Sequence, residues 1–180
     1  MIAIVVATDE NGIIGQENKI PWVIRKDFIR LKKLTQGHTV ILGRKTYESM
    51  DWYYNRSGRD MPGAMYLVLT RDEAFRPTRA NAQVVHSVEE AIATANSLGD
   101  PEVYVIGGGS VFNALLPYAN RVYLTLVHTK LTDGDATFPP LKDEDWNELS
   151  IENHTKDDKN EFDFDIVTLE RKKGGLRGSA

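Results

Sequence analysis

The chain is 180 residues long, a length that suits one domain. Hydrophobic residues make up 41% and charged residues 27%, enough for a packed core, and the lack of cysteine excludes disulfides, thiolate catalysis and cysteine-type zinc sites. The formal net charge is -4 with both signs mixed along the chain, so there is no basic stripe of the kind a nucleic-acid binder needs.

The opening Met1-Ile-Ala-Ile-Val-Val-Ala7 is apolar but lacks a positive leader and a long apolar stretch, and reads as a first β-strand rather than a secretion signal. No apolar run approaches the roughly 20 residues of a membrane span. A cytoplasmic, monomeric protein without membrane or nucleic-acid partners is expected, and the N-glycosylation patterns at Asn55 and Asn153 read as fortuitous. Further apolar runs at 39–42, 65–70, 83–85, 103–106 and 121–127 are mostly continuous, which predicts strands covered on both faces of a parallel sheet. Helical patterns at 26–35, 44–50, 88–98 and 111–116 lie between them. The third opens on the capping box Ser87-Val-Glu-Glu90 and closes at Gly99, and the fourth is stopped by Pro117. This alternation predicts an α/β fold of three layers, a mostly parallel central sheet with helices on both faces. Near the C-terminus, Phe162-Asp-Phe-Asp-Ile166 alternates apolar and acidic residues and pairs across the polar turn Asp157-Asp-Lys-Asn160 with 147–153, an antiparallel hairpin at the sheet edge. Residues 174–180, Gly174-Gly-Leu-Arg-Gly-Ser-Ala180, read as a disordered tail of the kind expression vectors leave, outside a domain of 1–173.

Asp27 is the first candidate for chemistry. Ile24, Phe28, Leu31 and Leu34 recur at helical spacing, and Asp27 falls on the same face, away from Arg25, Lys26, Lys32 and Lys33. A carboxylate among apolar side chains is costly, and its raised pKa suits proton handling near neutrality. The alternative is an acid that merely favours the helix dipole. Gly43-Arg-Lys-Thr46 follows a buried strand and opens a helix, where free N–H groups and two cations make a phosphate site, although no P-loop string is present. An ordinary strand-to-helix turn remains open there. Val103-Tyr-Val-Ile-Gly-Gly-Gly-Ser110 repeats the arrangement, without the dinucleotide fingerprint because Phe112 stands where its third glycine would fall. Both turns, and the loop after the first strand, lie at carboxyl ends of strands, where ligands collect in such sheets. Thr70-Arg71 ends another strand and could hold a second phosphate. The histidines His38, His86, His128 and His154 show no metal-ligand spacing and read as solvent or turn residues, and no metal is expected.

The string Asn11-Gly-Ile-Ile-Gly-Gln-Glu-Asn-Lys-Ile-Pro-Trp22 followed by Asp27 resembles the N-terminal third of dihydrofolate reductases. The likeness continues through Gly43-Arg44 with Thr46, Glu48 and Ser49, through Ile106-Gly-Gly-Gly109, Leu124-Thr125, Gly134-Asp135 and Phe138-Pro139. It implies NADPH-dependent reduction of 7,8-dihydrofolate to tetrahydrofolate, with dihydrofolate and antifolate inhibitors as ligands. It implies that Asp27 holds the pterin and promotes protonation of N5 through water, that Thr125 bonds Asp27, and that Trp22 positions a water. Val5, Val6, Ala7, Phe28, Leu31, Met50 and Ile106 would line the apolar pterin pocket. Ile14, Gly15, Ile20 and the rest of the 9–23 loop would close over the nicotinamide. Arg44, Lys45, Thr46, Thr70 and Arg71 would bind the NADPH phosphates, and Ala7, Gly43, Leu69, Ile106, Gly107, Gly108, Gly109, Ser110, Val111 and Phe112 would complete the cofactor site. A cis Gly107–Gly108 peptide is also implied.

The family's Pro-Gly-Arg motif, whose arginine grips the folate glutamate, reads Pro62-Gly-Ala64 here. Arg59 could supply that arginine if 60–63 were inserted, with Arg56 a weaker candidate and Lys32 assisting. Ser110 stands where some relatives carry a cation, which Arg71 could replace. Two rivals stay open. A pyrimidine reductase of the same fold would not need Asp27 downstream of Pro-Trp, and a non-catalytic nucleotide-binding module would have no use for a buried acid.

Overall fold

The computed structural model describes residues 1–172, so the expectation for the tail at 174–180 and the domain boundary at 173 fall outside the described residues. Strands β1 (Ile2–Asp9), β3 (Thr39–Gly43), β4 (Met65–Leu69), β5 (Ala82–Val85), β6 (Val103–Val105), β7 (Arg121–Val127), β9 (Trp146–His154) and β10 (Phe164–Arg171) form one eight-stranded sheet in the order β5-β4-β3-β6-β1-β7-β10-β9. The pairs from β5 across to β7 are parallel, and β10 runs antiparallel to both β7 and β9. The expected edge hairpin is therefore present. A separate two-stranded sheet pairs β2 (Ile13–Gly15) with β8 (Ala136–Thr137).

Helices α1 (Arg25–Thr35), α2 (Arg44–Ser57), α3 (Val88–Ser97) and α4 (Gly109–Leu115) cover the sheet on two sides. The continuous apolar runs explain how. Alternate residues of one strand face opposite ways, so a strand covered twice must be apolar throughout. Ile4, Val6, Ile41, Leu67, Val103 and Val105 pack with Ala91 and Ala95 of α3 and with Val111, Phe112 and Leu115 of α4. Val40, Leu42, Tyr66 and Val68 turn the other way, onto Tyr47 and Met50 of α2. Ala3, Val5 and Tyr104 share that second face with Leu31 and Leu34 of α1.

Helix α2 runs seven residues beyond the predicted end at Met50 and stops at Gly58, whose positive φ of 64° is the left-handed conformation glycine adopts most readily. In residues 51–57 the apolar side chains, Trp52, Tyr53 and Tyr54, are consecutive rather than three or four apart, so no helical period marks them. Asp51 holds the extension in place by pairing with Arg79 Nε at 2.6 Å and accepting from Thr78 Oγ1 at 2.7 Å. The histidines are also more engaged than expected. His38 pairs with Asp100, His128 bridges Glu10 and Asp165, and His154 stacks on Phe164.

Asp9, at the C-terminal end of β1, is 1% exposed. Its Oδ1 accepts from the N–H groups of Asn11 and Ile13, and its Oδ2 accepts from Leu131 N–H. One carboxylate thereby ties the 9–23 loop and the segment after β7 to the sheet. Asp9→Ala strips three backbone donors of their acceptor, and the expected loss is about 3 kcal/mol or more of folding stability, read from the urea midpoint.

Candidate active site

The carboxyl end of the parallel strands gathers the chemistry. Ala7 of β1 lies in register with Thr125 of β7, and Val5 with Tyr123, so these four side chains share the face that α1 covers. Thr125 is fully buried, and its hydroxyl donates to Asp27 Oδ1 at 2.7 Å. That bond joins residues 98 apart and fixes the acid on α1 against the sheet. Burial pushes the Asp27 carboxyl above its ordinary range, with the Thr125 bond and the positive charge of Arg30 pulling it back in part.

The edge hairpin sets the start of α1. No side chain within the helix caps it, but Asn160 Oδ1 accepts from Lys26 N–H at 3.1 Å, and Lys159 O accepts from Arg25 N–H. The polar turn read only as a hairpin signal thus places the helix that carries Asp27. Trp22 is buried with Ile24, Val127 and Phe164, against Ala7. Leu31 packs on the sheet, whereas Phe28 is 48% exposed and Ile20 equally so. The apolar stripe of α1 is therefore only partly covered, leaving Phe28 as accessible apolar surface one residue from the acid. Val6 is a further difference: its side chain points to the α3–α4 face, away from Asp27, because it alternates with Val5 and Ala7.

The two glycine turns meet. Gly43 N–H donates to Gly107 O at 2.7 Å, and the Gly107–Gly108 peptide is cis, as the resemblance implied. A side chain on Gly43 would crowd Val111, and one on Gly109 would come within 3.0 Å of Thr137 O. Val111 and Phe112 are buried, and Ile106 packs between the α1 and α2 clusters. Thr46 Oγ1 lies over Gly108. Arg44 pairs with Asp72 at 2.8 Å beside Thr70, whose hydroxyl accepts from Asp72 N–H, while Arg71 and Ser110 are exposed. Lys45 reaches Asn18 Oδ1 at 3.5 Å across to the loop. In that loop, Glu17 and Asn18 have positive φ between the paired Gln16 and Lys19, and Glu17 N–H donates to Asp135. Ile14 approaches Gly109, and Gly15 packs against Ala136.

The family model for dihydrofolate reductase matches residues 1–171. The chain belongs to the dihydrofolate reductase family. The dihydrofolate reductase of Bacillus subtilis is 35% identical over 99% of both chains, and that of Staphylococcus haemolyticus is 35% identical over 94% of this chain and 95% of its own. A solved dihydrofolate reductase from Enterococcus faecalis, complexed with NADP(H) and RAB-propyl, superposes with a TM-score of 0.79 at 32% identity, covering 95% of this chain and 96% of that one.

Within this reductase, two residues near the acid carried no sequence signal. Arg30, which no pattern singles out, reaches Leu124 O and Thr125, and Asn160 acts from 133 residues beyond Asp27. The candidates for the glutamate tail are all exposed. Arg56 lies over the Trp52 ring at 5.5 Å, Lys32 and Ala64 are exposed, and Arg59 is exposed just past the α2 cap, with its N–H bonded to Tyr54 O.

The raised Asp27 pKa gives a signed prediction. The folded state holds the proton more tightly than the unfolded chain, so it carries the cost of an ionised buried acid above the folded-state titration and sheds it below the unfolded one. Asp27→Asn should therefore be more stable than the parent near neutral pH, with the difference closing as pH falls through that range, as measured by urea unfolding. A less stable Asn variant at neutral pH would assign Asp27 a structural role instead.

Proposed function

We propose that this chain reduces 7,8-dihydrofolate to 5,6,7,8-tetrahydrofolate with NADPH, placing a hydride on C6 and a proton on N5. The observation that carries the reading is the Asp27 carboxylate, lifted in pKa by burial and bonded to Thr125, on the sheet face whose carboxyl end also holds the glycine turns. Asp27 accepts from the pterin 2-amino group and N3, which orients the ring. Trp22 holds a water that passes a proton to N5. Protonated N5 makes C6 electron-poor. Ala7, Val5, Phe28, Leu31, Met50 and Ile106 line the apolar pocket, and Lys32 and Arg59 draw the glutamate carboxylates.

The cofactor site fits what is present. Gly43, Gly107 and Gly109 let the two turns pack where side chains would meet Val111, Phe112 and Thr137 O, and Thr46 lies beside Gly108; Arg44, Lys45, Thr70 and Arg71, at or just after the ends of the neighbouring strands, are the proposed phosphate ligands. Bound there, NADPH would supply the hydride. Leu69, Ser110, Val111 and Phe112 complete the walls. Ile14, Gly15 and Ile20 cover the reacting rings and exclude water.

Mixing protein, NADPH and dihydrofolate should give rapid loss of nicotinamide absorbance. Asp27→Asn should lower the rate near neutral pH by about 10² to 10⁴, with partial recovery on a substrate already protonated at N5. An undiminished rate in that variant would overturn the reading. Arg59→Ala should raise KM for dihydrofolate roughly two- to fivefold, the scale of an exposed ion pair, with kcat unchanged. An unmoved KM would assign the tail to another cation.

A further inference from the structure

Arg30 lies one helical turn beyond Asp27, is half-buried and turns its guanidinium toward the sheet. Its Nη1 donates to Leu124 O at 3.3 Å and makes a long contact of 3.5 Å to Thr125 Oγ1. The same hydroxyl donates its single proton to Asp27 Oδ1 at 2.7 Å. A hydroxyl has one proton to give, and a guanidinium can only donate. The direction of the chain is therefore fixed, from Arg30 to Thr125 to Asp27. The guanidinium also sits over the Tyr123 ring at 5.4 Å, which holds its plane against the sheet. Its other side borders a cleft of about 400 Å³ between α1 and the β9–β10 hairpin, where Lys26, Lys33, Glu152, His154 and Ile166 contribute to the wall.

We propose that Arg30 is a positioning residue of the reaction: its guanidinium orients the Thr125 hydroxyl, counter-charges Asp27 and so sets the pH range in which the acid works. The inference rests on the proposed role of Asp27. Two demands act on that acid. Apolar surroundings favour its neutral form, yet orientation of the pterin needs an acceptor. A cation two hydrogen bonds away, at the wall of the cleft beside Leu34 and Ile166, offsets part of the burial cost without touching the substrate. The charged and titratable groups facing the pair are Tyr123 on β7, Glu152 and His154 on β9, and Lys26 and Lys33 on α1 itself, whereas the nearest residues of β1 and β10, Ala7 and Ile166, are neutral. Burial lowers the Arg30 pKa, with Asp27, Tyr123 and Glu152 raising it, so Glu152 opposes Arg30 in its effect on Asp27.

The test is the titration of Asp27, followed by carboxyl ¹³C NMR of the intact protein and by the pH profile of hydride transfer. The resonance is assigned by its loss in Asp27→Asn. Arg30→Met keeps the buried stem and removes the charge, and should move both titrations upward by about one unit. Arg30→Lys should return them toward the parent. Glu152→Gln lies on the exposed side of the cleft and should give a smaller downward move, which decides the matter if Arg30→Met does not fold. Unchanged titrations in Arg30→Met, or an upward move in Glu152→Gln, would overturn the inference while leaving Asp27 in place. Full hydride transfer near neutral pH in Asp27→Asn would instead overturn the role of Asp27 itself.

Discussion

The molecule is organised around a carboxylate held where a carboxylate is expensive. Asp27 stands against an apolar sheet face and carries a pKa raised by burial. A single hydroxyl, Thr125, connects it to β7. Most of the architecture bears on that one contact. The parallel register of β1 and β7 aligns Ala7 with Thr125, the β9–β10 turn caps α1 through Asn160, and Asp9 ties down the loop that passes beside Trp22. A natural fold keeps such a group because the task outweighs the stability it forgoes.

The second constraint is close backbone approach. Two strand-to-helix turns, after the neighbouring strands β3 and β6, are hydrogen-bonded to one another through Gly43 and Gly107. Side chains at these points would meet Val111 and Phe112, or the Thr137 carbonyl in the case of Gly109. The small β2–β8 sheet lies beside the same turn through Ile14. Acid and glycine cradle are thus set on one rim by the same strands, with Ile106 leading from β6 into the second turn and packing toward both α1 and α2.

Much of this was legible in the residues. The apolar runs identify the six parallel strands because a strand covered on both faces has no polar side, and the capping box at Ser87 marks α3, where Ser87 Oγ accepts from Glu90 N–H. Asp27 stood out for being acidic at an apolar helical position. What escaped depended on contacts far apart in sequence or on side-chain direction. β8 has only two residues, and β2 is two isoleucines between Gly12 and Gly15 inside a loop, so neither forms an apolar run that reads as a strand. The α2 extension is held by Arg79 rather than by its own pattern. Val6 was grouped with its neighbours although alternation sends it to the other face, and Arg30 gave no sign that its guanidinium turns inward to Thr125.

Family membership fixes the fold and the kind of chemistry, and the proposed role of Asp27 supplies the proton side of it. The most direct check is the hydride-transfer step alone, measured in a single turnover of the unaltered protein with deuterated NADPH as pH is varied. The account predicts a primary isotope effect on a rate that falls about tenfold per pH unit above one apparent pKa, because N5 must gain its proton before C6 can accept hydride. An isotope-sensitive rate that stays level across the same pH range would contradict it.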